Sequence, residues 1–137
     1  MAYWLFKSEP GAWSWDDQVK AGTAEWDGVR NYQADNNMKA MKVGDRGFFY
    51  HSVDAREIVG VVEIVREHYP DPTDTKGRFG MVDVKALTPV KSPVTLADIK
   101  AEPALSGMAL VRQSRLSVCP VADEEWALIC KMAGIEA

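Results

Sequence analysis

Four short groups hold the residue types that could do chemistry: Lys7-Ser8-Glu9-Pro10, Asn31-Tyr32-Gln33, Tyr50-His51-Ser52 and Arg112-Gln113-Ser114-Arg115. Each adjoins an expected strand or helix end. Should they converge, they offer flat stacking surfaces, amides and hydroxyls for a base edge, and cations for a few phosphates, which together are what binding an extrahelical base requires. The plainer alternative is that Asn31 caps a helix, Ser52 turns a hairpin and the arginines are solvated. Trp4, Trp13, Trp15, Trp26 and Trp126 exceed what a core of this size needs, because a buried indole N–H demands a partner. Trp13 and Trp15 are expected to pack a helix entrance and Trp126 the last helix. Trp26, beside Gly28 and ahead of Asn31, is the better pocket residue.

Signatures of catalysis are missing. His51 and Ser52 are adjacent at an expected strand end, where neighbouring side chains point to opposite faces. The chain has no GxSxG, GxxxxGK[ST] or GxGxxG segment, so acyl transfer, phosphoryl transfer and dinucleotide chemistry lack their local marks. Asp16-Asp17 and Glu124-Glu125 fall in first turns of expected helices, where they complement the helix dipole. With only Cys119, Cys130, His51 and His68 available, no zinc-ligand spacing exists, and neither a metal nor a cofactor is expected. The two thiols read as small buried hydrophobes.

Composition bounds the rest. The chain has 137 residues, 16 Lys and Arg against 20 Asp and Glu, and a net charge of -4. Broad electrostatic binding to duplex nucleic acid is excluded by that balance, since counterion release needs many phosphate-facing cations. Any such role must be local. One domain over residues 1–137 is expected, without a membrane span and without a leader, in the cytoplasm.

The elements that must position these residues follow from pattern. Tyr3 to Lys7 reads as a strand stopping at Glu9-Pro10-Gly11, and Ser14 caps a short helix ending near Gly22. After a turn at Trp26-Asp27-Gly28, a helix is expected from about Asn31 to Met41. Gly47–His51 and Glu57–Val65 should pair as an antiparallel hairpin through a polar turn around Val53-Asp54-Ala55, with a bulge or close approach at Gly60. Tyr69 to Asp74 is expected as loop, Met81–Leu87 as strand, Thr95 as a helix cap, Arg115–Pro120 as the last strand, and Asp123 as the cap of a final helix burying Trp126, Ile129 and Cys130. About five strands and several short helices result.

Read together, Tyr3-Trp4-Leu5-Phe6-Lys7-Ser8-Glu9-Pro10, Trp26-Asp27-Gly28-Val29-Arg30-Asn31-Tyr32-Gln33-Ala34, Phe48-Phe49-Tyr50-His51-Ser52 and the segment Leu110 to Val118 resemble the EVE domain, in order and across nearly the whole chain. The resemblance is to the thymocyte nuclear protein family and its single-domain bacterial counterparts. It implies an α+β, PUA-like fold: a small curved mixed sheet or pseudo-barrel of about five strands with short helices around it. It also implies a non-catalytic reader of a modified base in DNA or RNA, such as 5-methylcytosine or 5-hydroxymethylcytosine, held flipped in an aromatic pocket.

On that reading Trp26, Phe49 and Tyr50 wall the pocket, Ser8, Asn31 and Gln33 read the base edge, and His51 and Ser52 complete it. Lys7, Arg30, Arg112, Gln113, Ser114 and Arg115 contact the backbone. Two departures from the family pattern bear on this. Asp35 replaces a common Arg and is expected to add an anion near the site, and Phe79 replaces a common Trp and loses an indole donor. A sensor or enzyme for a nucleotide-like metabolite, with His51 as acid or base, is the rival, and a protein-interaction module the third reading. The base modification, the choice of DNA or RNA, and the oligomeric state stay open.

Overall fold

Aromatic and β-branched residues concentrate in four segments, and these build the centre of the sheet. The computed structural model describes residues 1–53 and 55–137. In chain order it contains β1 (Tyr3–Ser8), α1 (Trp15–Ala21), β2 (Thr23–Glu25), α2 (Tyr32–Ala40), β3 (Arg46–His51), β4 (Glu57–Pro70), β5 (Gly80–Thr95), α3 (Leu96–Ala101), α4 (Ala109–Arg112), β6 (Val118–Val121) and α5 (Asp123–Ala133). One mixed sheet runs β2-β5-β4-β3-β1-β6; β1 lies parallel to β3, and the other pairings are antiparallel. The architecture is the expected α+β, PUA-like one. Among the described residues the sheet is open, with β2 and β6 as its edges.

The strand count is six, not five. β2 has only three residues and no alternation to announce it, and it exists because Thr23, Ala24 and Glu25 pair with Lys85, Val84 and Asp83. β4 and β5 also outrun their expected ends. Tyr69 and Pro70, expected in a loop, pair with Met81 and Gly80, since proline is tolerated at a strand terminus. β5 continues past Leu87 through Pro89 and Pro93, and the register jump between Ile58 and Gly60, opposite Val94 and Pro89, accommodates the missing donors as a bulge.

Helix ends follow local chemistry. Ser14 accepts from the Asp17 N–H at 3.1 Å while the Asp17 carboxylate accepts from the Ser14 N–H at 2.9 Å, a reciprocal cap that fixes where α1 starts. Thr95 and Asp98 repeat the arrangement on α3. Asp123 is the first residue of α5 rather than its cap: Ala122 occupies that position, and the Glu125 carboxylate accepts its N–H at 2.8 Å. Residues 115–117, expected as strand, form a turn before β6. Of the expected hairpin turn, Asp54 lies outside the described residues.

The core is continuous under the sheet. Trp126 is sandwiched between Tyr3 and Phe48, with ring centroids 4.3 and 4.0 Å away. Gly60 lies beneath Trp15, where a Cβ would come within 2.5 Å of the indole; the close approach expected at this glycine is therefore present. Cys119 and Cys130 are buried free thiols, and burial pushes each up to about 11. Among the described residues no helix is long and apolar enough to cross a membrane.

Candidate functional site

β1 and β2 end on the same side of the sheet, and the loops that leave them enclose a cavity of about 740 Å³. One wall is Lys7, Ser8, Glu9, Ala12 and Trp13; the other is the run Ala24 to Arg30, with Ser117 between them. Trp26 is pinned by its N–H, which donates to Val82 O at 2.8 Å, and its ring stands edge-on to Phe6 and Phe49 at 5.1 and 5.7 Å. Trp13 is fixed by its indole N–H, which donates at 2.9 Å to Oε1 of the fully buried Gln18. The Ser8 hydroxyl donates to Trp13 O, leaving its lone pairs as acceptors.

A shallower groove of about 370 Å³ adjoins it, lined by Asn31, Gln33 and the turn Arg112 to Leu116. Lys7 stitches the two together. Its backbone N–H donates to Ser117 O and its ammonium to Ser114 O, both at 2.9 Å, and burial lowers the ammonium pKa from the usual lysine value. Arg112 is braced by Nε donating to Ser106 O at 3.1 Å. Both arginines of this turn are exposed.

The 26–30 loop is held from below by Asp71, whose carboxylate accepts from the Gly28 N–H and from Arg30 Nη1. Arg30 Nη2 donates to Thr73 Oγ1 at 2.9 Å, and its guanidinium sits 5.9 Å from the Phe79 ring centroid. Arg30 thus lines the cavity as a tethered cation. Phe79 packs on Tyr32 at 4.9 Å and lies outside the cavity.

The structure therefore gathers Lys7, Ser8, Trp26 and Arg30 at the cavity, and Asn31, Gln33, Arg112, Gln113, Ser114 and Arg115 at the groove. Phe49 and Tyr50 do not wall it. β3 is covered on both faces between β1 and β4, so they are 0% and 3% exposed, and Phe49 instead supports Trp26 from behind. His51 and Ser52 also lie outside both hollows. His51 Nε2 accepts the Trp15 N–H at 3.0 Å, and burial lowers its pKa from the ordinary value. Asn31 caps α2 through its side chain, accepting from the Ala34 N–H at 2.9 Å, while facing the groove.

Asp35 does not add charge to the site. It is 1% exposed and points into the junction of α2 with β4 and β5, accepting from His68 Nε2 at 2.8 Å and the Gly80 N–H at 3.0 Å, with Lys39 at 3.5 Å. Burial pushes its carboxyl up, but these partners outweigh it and hold the pKa below the usual value. Four lining side chains went unmarked in the sequence: Glu9, Trp13, Glu25 and Asp27. The only signal was their adjacency to Ser8 and Trp26, because a loop residue shows no periodicity.

The EVE domain profile matches residues 2–132. The chain belongs to the EVE domain family. Mouse thymocyte nuclear protein 1 is 37% identical over 98% of this chain and 74% of its own length. An NMR structure of a Rhodopseudomonas palustris protein superposes on this EVE domain with a TM-score of 0.93 at 60% identity, covering 98% of this chain and 94% of that one. The human THYN1 protein, solved in complex with DNA containing 5-methylcytosine, superposes at 0.91 with 35% identity over the full length of both chains.

Proposed function

We propose that this EVE domain, acting as one unit over residues 1–137, is a non-catalytic reader of a modified base in DNA. The base sits extrahelically in the cavity between the end of β1 and the 26–30 loop. The observation that carries this reading is the placing of two indoles, Trp13 and Trp26, in one concavity with Ser8 and Lys7, beside a groove bearing Arg112 and Arg115. The volume of about 740 Å³ falls in the range of small-ligand sites. The complex of the human relative with methylcytosine-containing DNA supports DNA over RNA as the polymer.

The energetics assign each part a share. Stacking on an indole contributes about 1–3 kcal/mol, similar to the few kcal/mol needed to unstack a base. A buried methyl adds only about 0.8 kcal/mol, so preference for a methylated base is modest unless competitors are repelled. Arg112, Arg115, Gln113 and Ser114 hold the flanking backbone, with Asn31 and Gln33 across the groove. Few phosphates are neutralised, so affinity falls gently with salt. His51 is turned away on the Trp15 N–H, which weighs against an acid or base role in this cavity.

Tryptophan-fluorescence titration at low salt tests this, using matched DNA and RNA oligonucleotides with cytosine, 5-methylcytosine or 5-hydroxymethylcytosine at one position. Several-fold tighter binding of one modified DNA, lost in a folded Trp26→Ala protein, is expected. Full affinity in that variant would sink the proposal.

A further inference from the structure

The cavity and the groove carry opposite chemistry. Glu9, Glu25 and Asp27 all line the cavity, and among the described residues none of their carboxylates has an ion-pair or hydrogen-bond partner. The two cations on the same lining are already engaged, Arg30 on Asp71 and Thr73, and Lys7 on Ser114 O. A second feature points to a ligand. Trp26 is only 9% exposed, yet its indole N–H donates to no acceptor among the described residues. The sealed side-chain nitrogens without partners are Arg46 Nε and Trp126 Nε1, so the Trp26 N–H keeps access to solvent, and the cavity that Trp26 lines provides it.

Ionised carboxylates only accept hydrogen bonds. A cavity rich in unpaired carboxylates, with a free indole donor, fits an edge that brings its own N–H groups alongside acceptors. Cytosine presents an N4 amino group with two donor hydrogens beside the N3 and O2 acceptors. Thymine presents O4 and O2 acceptors around a single N3–H. The two share a pyrimidine face, and 5-methylcytosine and thymine share the C5 methyl, so stacking and methyl contacts cannot separate them. The edge can. A keto oxygen turned toward an unpaired carboxylate loses its water and meets like charge density, whereas an amino group there makes a charge-assisted bond.

We propose that the cavity selects an amino-bearing base of the cytosine class over a keto base carrying the same methyl group, with Glu9, Glu25 and Asp27 supplying the acceptors for the exocyclic amine. This rests on the base-reading proposal above. It makes the domain blind to the deamination product of the base it reads, since 5-methylcytosine becomes thymine by exchange of that amine for a carbonyl.

The test uses single-stranded DNA oligonucleotides identical except for one central residue, 5-methylcytosine or thymine, titrated against the wild-type protein, Trp26→Ala, the single variants Glu9→Gln, Glu25→Gln and Asp27→Asn, and the triple variant. Each amide keeps an acceptor and gains donors, and all three positions are exposed, so the fold is retained. At least about tenfold tighter binding of 5-methylcytosine is expected, with the ratio collapsing in the triple variant and in at least one single variant. Equal binding of the two oligonucleotides, abolished by Trp26→Ala, overturns this inference while leaving base reading intact. A preference unchanged in the triple variant removes the carboxylates from the role. Absence of any Trp26-dependent binding overturns both proposals.

Discussion

The Asp71 carboxylate accepts the Gly28 backbone N–H at 2.8 Å, tying the loop after β4 to the loop that carries Trp26. Gly28 has a φ of +79°, a conformation open to glycine at little cost, and this aims its N–H at the acid. The same carboxylate takes Arg30 Nη1 at 3.2 Å, and Thr73 N and Oγ1 at 2.8 and 2.6 Å, while Asp71 itself is 3% exposed. One buried anion organises one wall of the cavity.

Asp71→Ala leaves the Gly28 N–H and the Arg30 guanidinium without their acceptor, which costs about 1–3 kcal/mol. A melting temperature lower by several degrees is expected, together with weaker binding of the modified oligonucleotide. The pH dependence has a definite sign. Burial pushes the Asp71 carboxyl up, but hydrogen bonds from Thr73, Gly28 and Arg30 hold it down at about 2. A depressed folded value means stability that is present above the ordinary 3.8 and is lost as pH falls from there through about 2. Denaturation midpoints between those limits should fall more steeply for wild type than for Asp71→Asn, and parallel curves would refute the assignment.

Gly60→Ala places a methyl 2.5 Å from the Trp15 indole, which is 8% exposed and hemmed in by Phe49. Overpacking of this kind costs about 1–3 kcal/mol. Combining it with Trp15→Leu should recover part of that loss. Urea midpoints for the two single variants and the double variant measure the coupling, and strict additivity would show that the contact is not what Gly60 protects.

His51 must be neutral at Nε2 to accept the Trp15 N–H. Burial lowers its pKa, with Glu57 and Asp16 opposing, so the unfolded chain takes up a proton before the folded one does. Stability is then full above the ordinary value of 6.5 and declines as pH falls below it. Thermal melts between about pH 5 and 8 should show a smaller slope for His51→Gln than for wild type.

Asn31 and Gln33 both face the groove, but only Asn31 caps α2. Asn31→Ala should cost about 1 kcal/mol in stability, and Gln33→Ala almost nothing. Both are expected to weaken binding. Chemical denaturation alongside oligonucleotide titration distinguishes the two effects, and a stable Asn31→Ala protein would show that the cap is dispensable.

Local chemistry was legible wherever a short-range rule governs. The Ser14 and Thr95 caps, the Asn31 start of α2, the β3/β4 hairpin and the close approach at Gly60 are each written in a few neighbouring residues. Long motifs read in order identified the EVE domain. β2 was not legible, because three residues become a strand only when β5 offers them a partner. The extensions of β4 and β5 through prolines depend likewise on bulges set by the opposing strand.

The same division runs through the site. Sequence alone determined which element ends carry Lys7, Ser8, Trp26, Asn31 and the Arg112 to Arg115 turn, since termini are fixed by caps, glycines and prolines within a few residues. Tertiary structure alone decided that Phe49 and Tyr50 are buried behind Trp26, that Asp35 turns inward to His68 and Gly80, and that Glu9, Glu25 and Asp27 share a cavity with Trp13. Those outcomes depend on which strands become neighbours. The order β4-β3-β1 covers β3 on both edges, and the meeting of the β1 and β2 ends across the sheet brings together loops that are far apart in the chain.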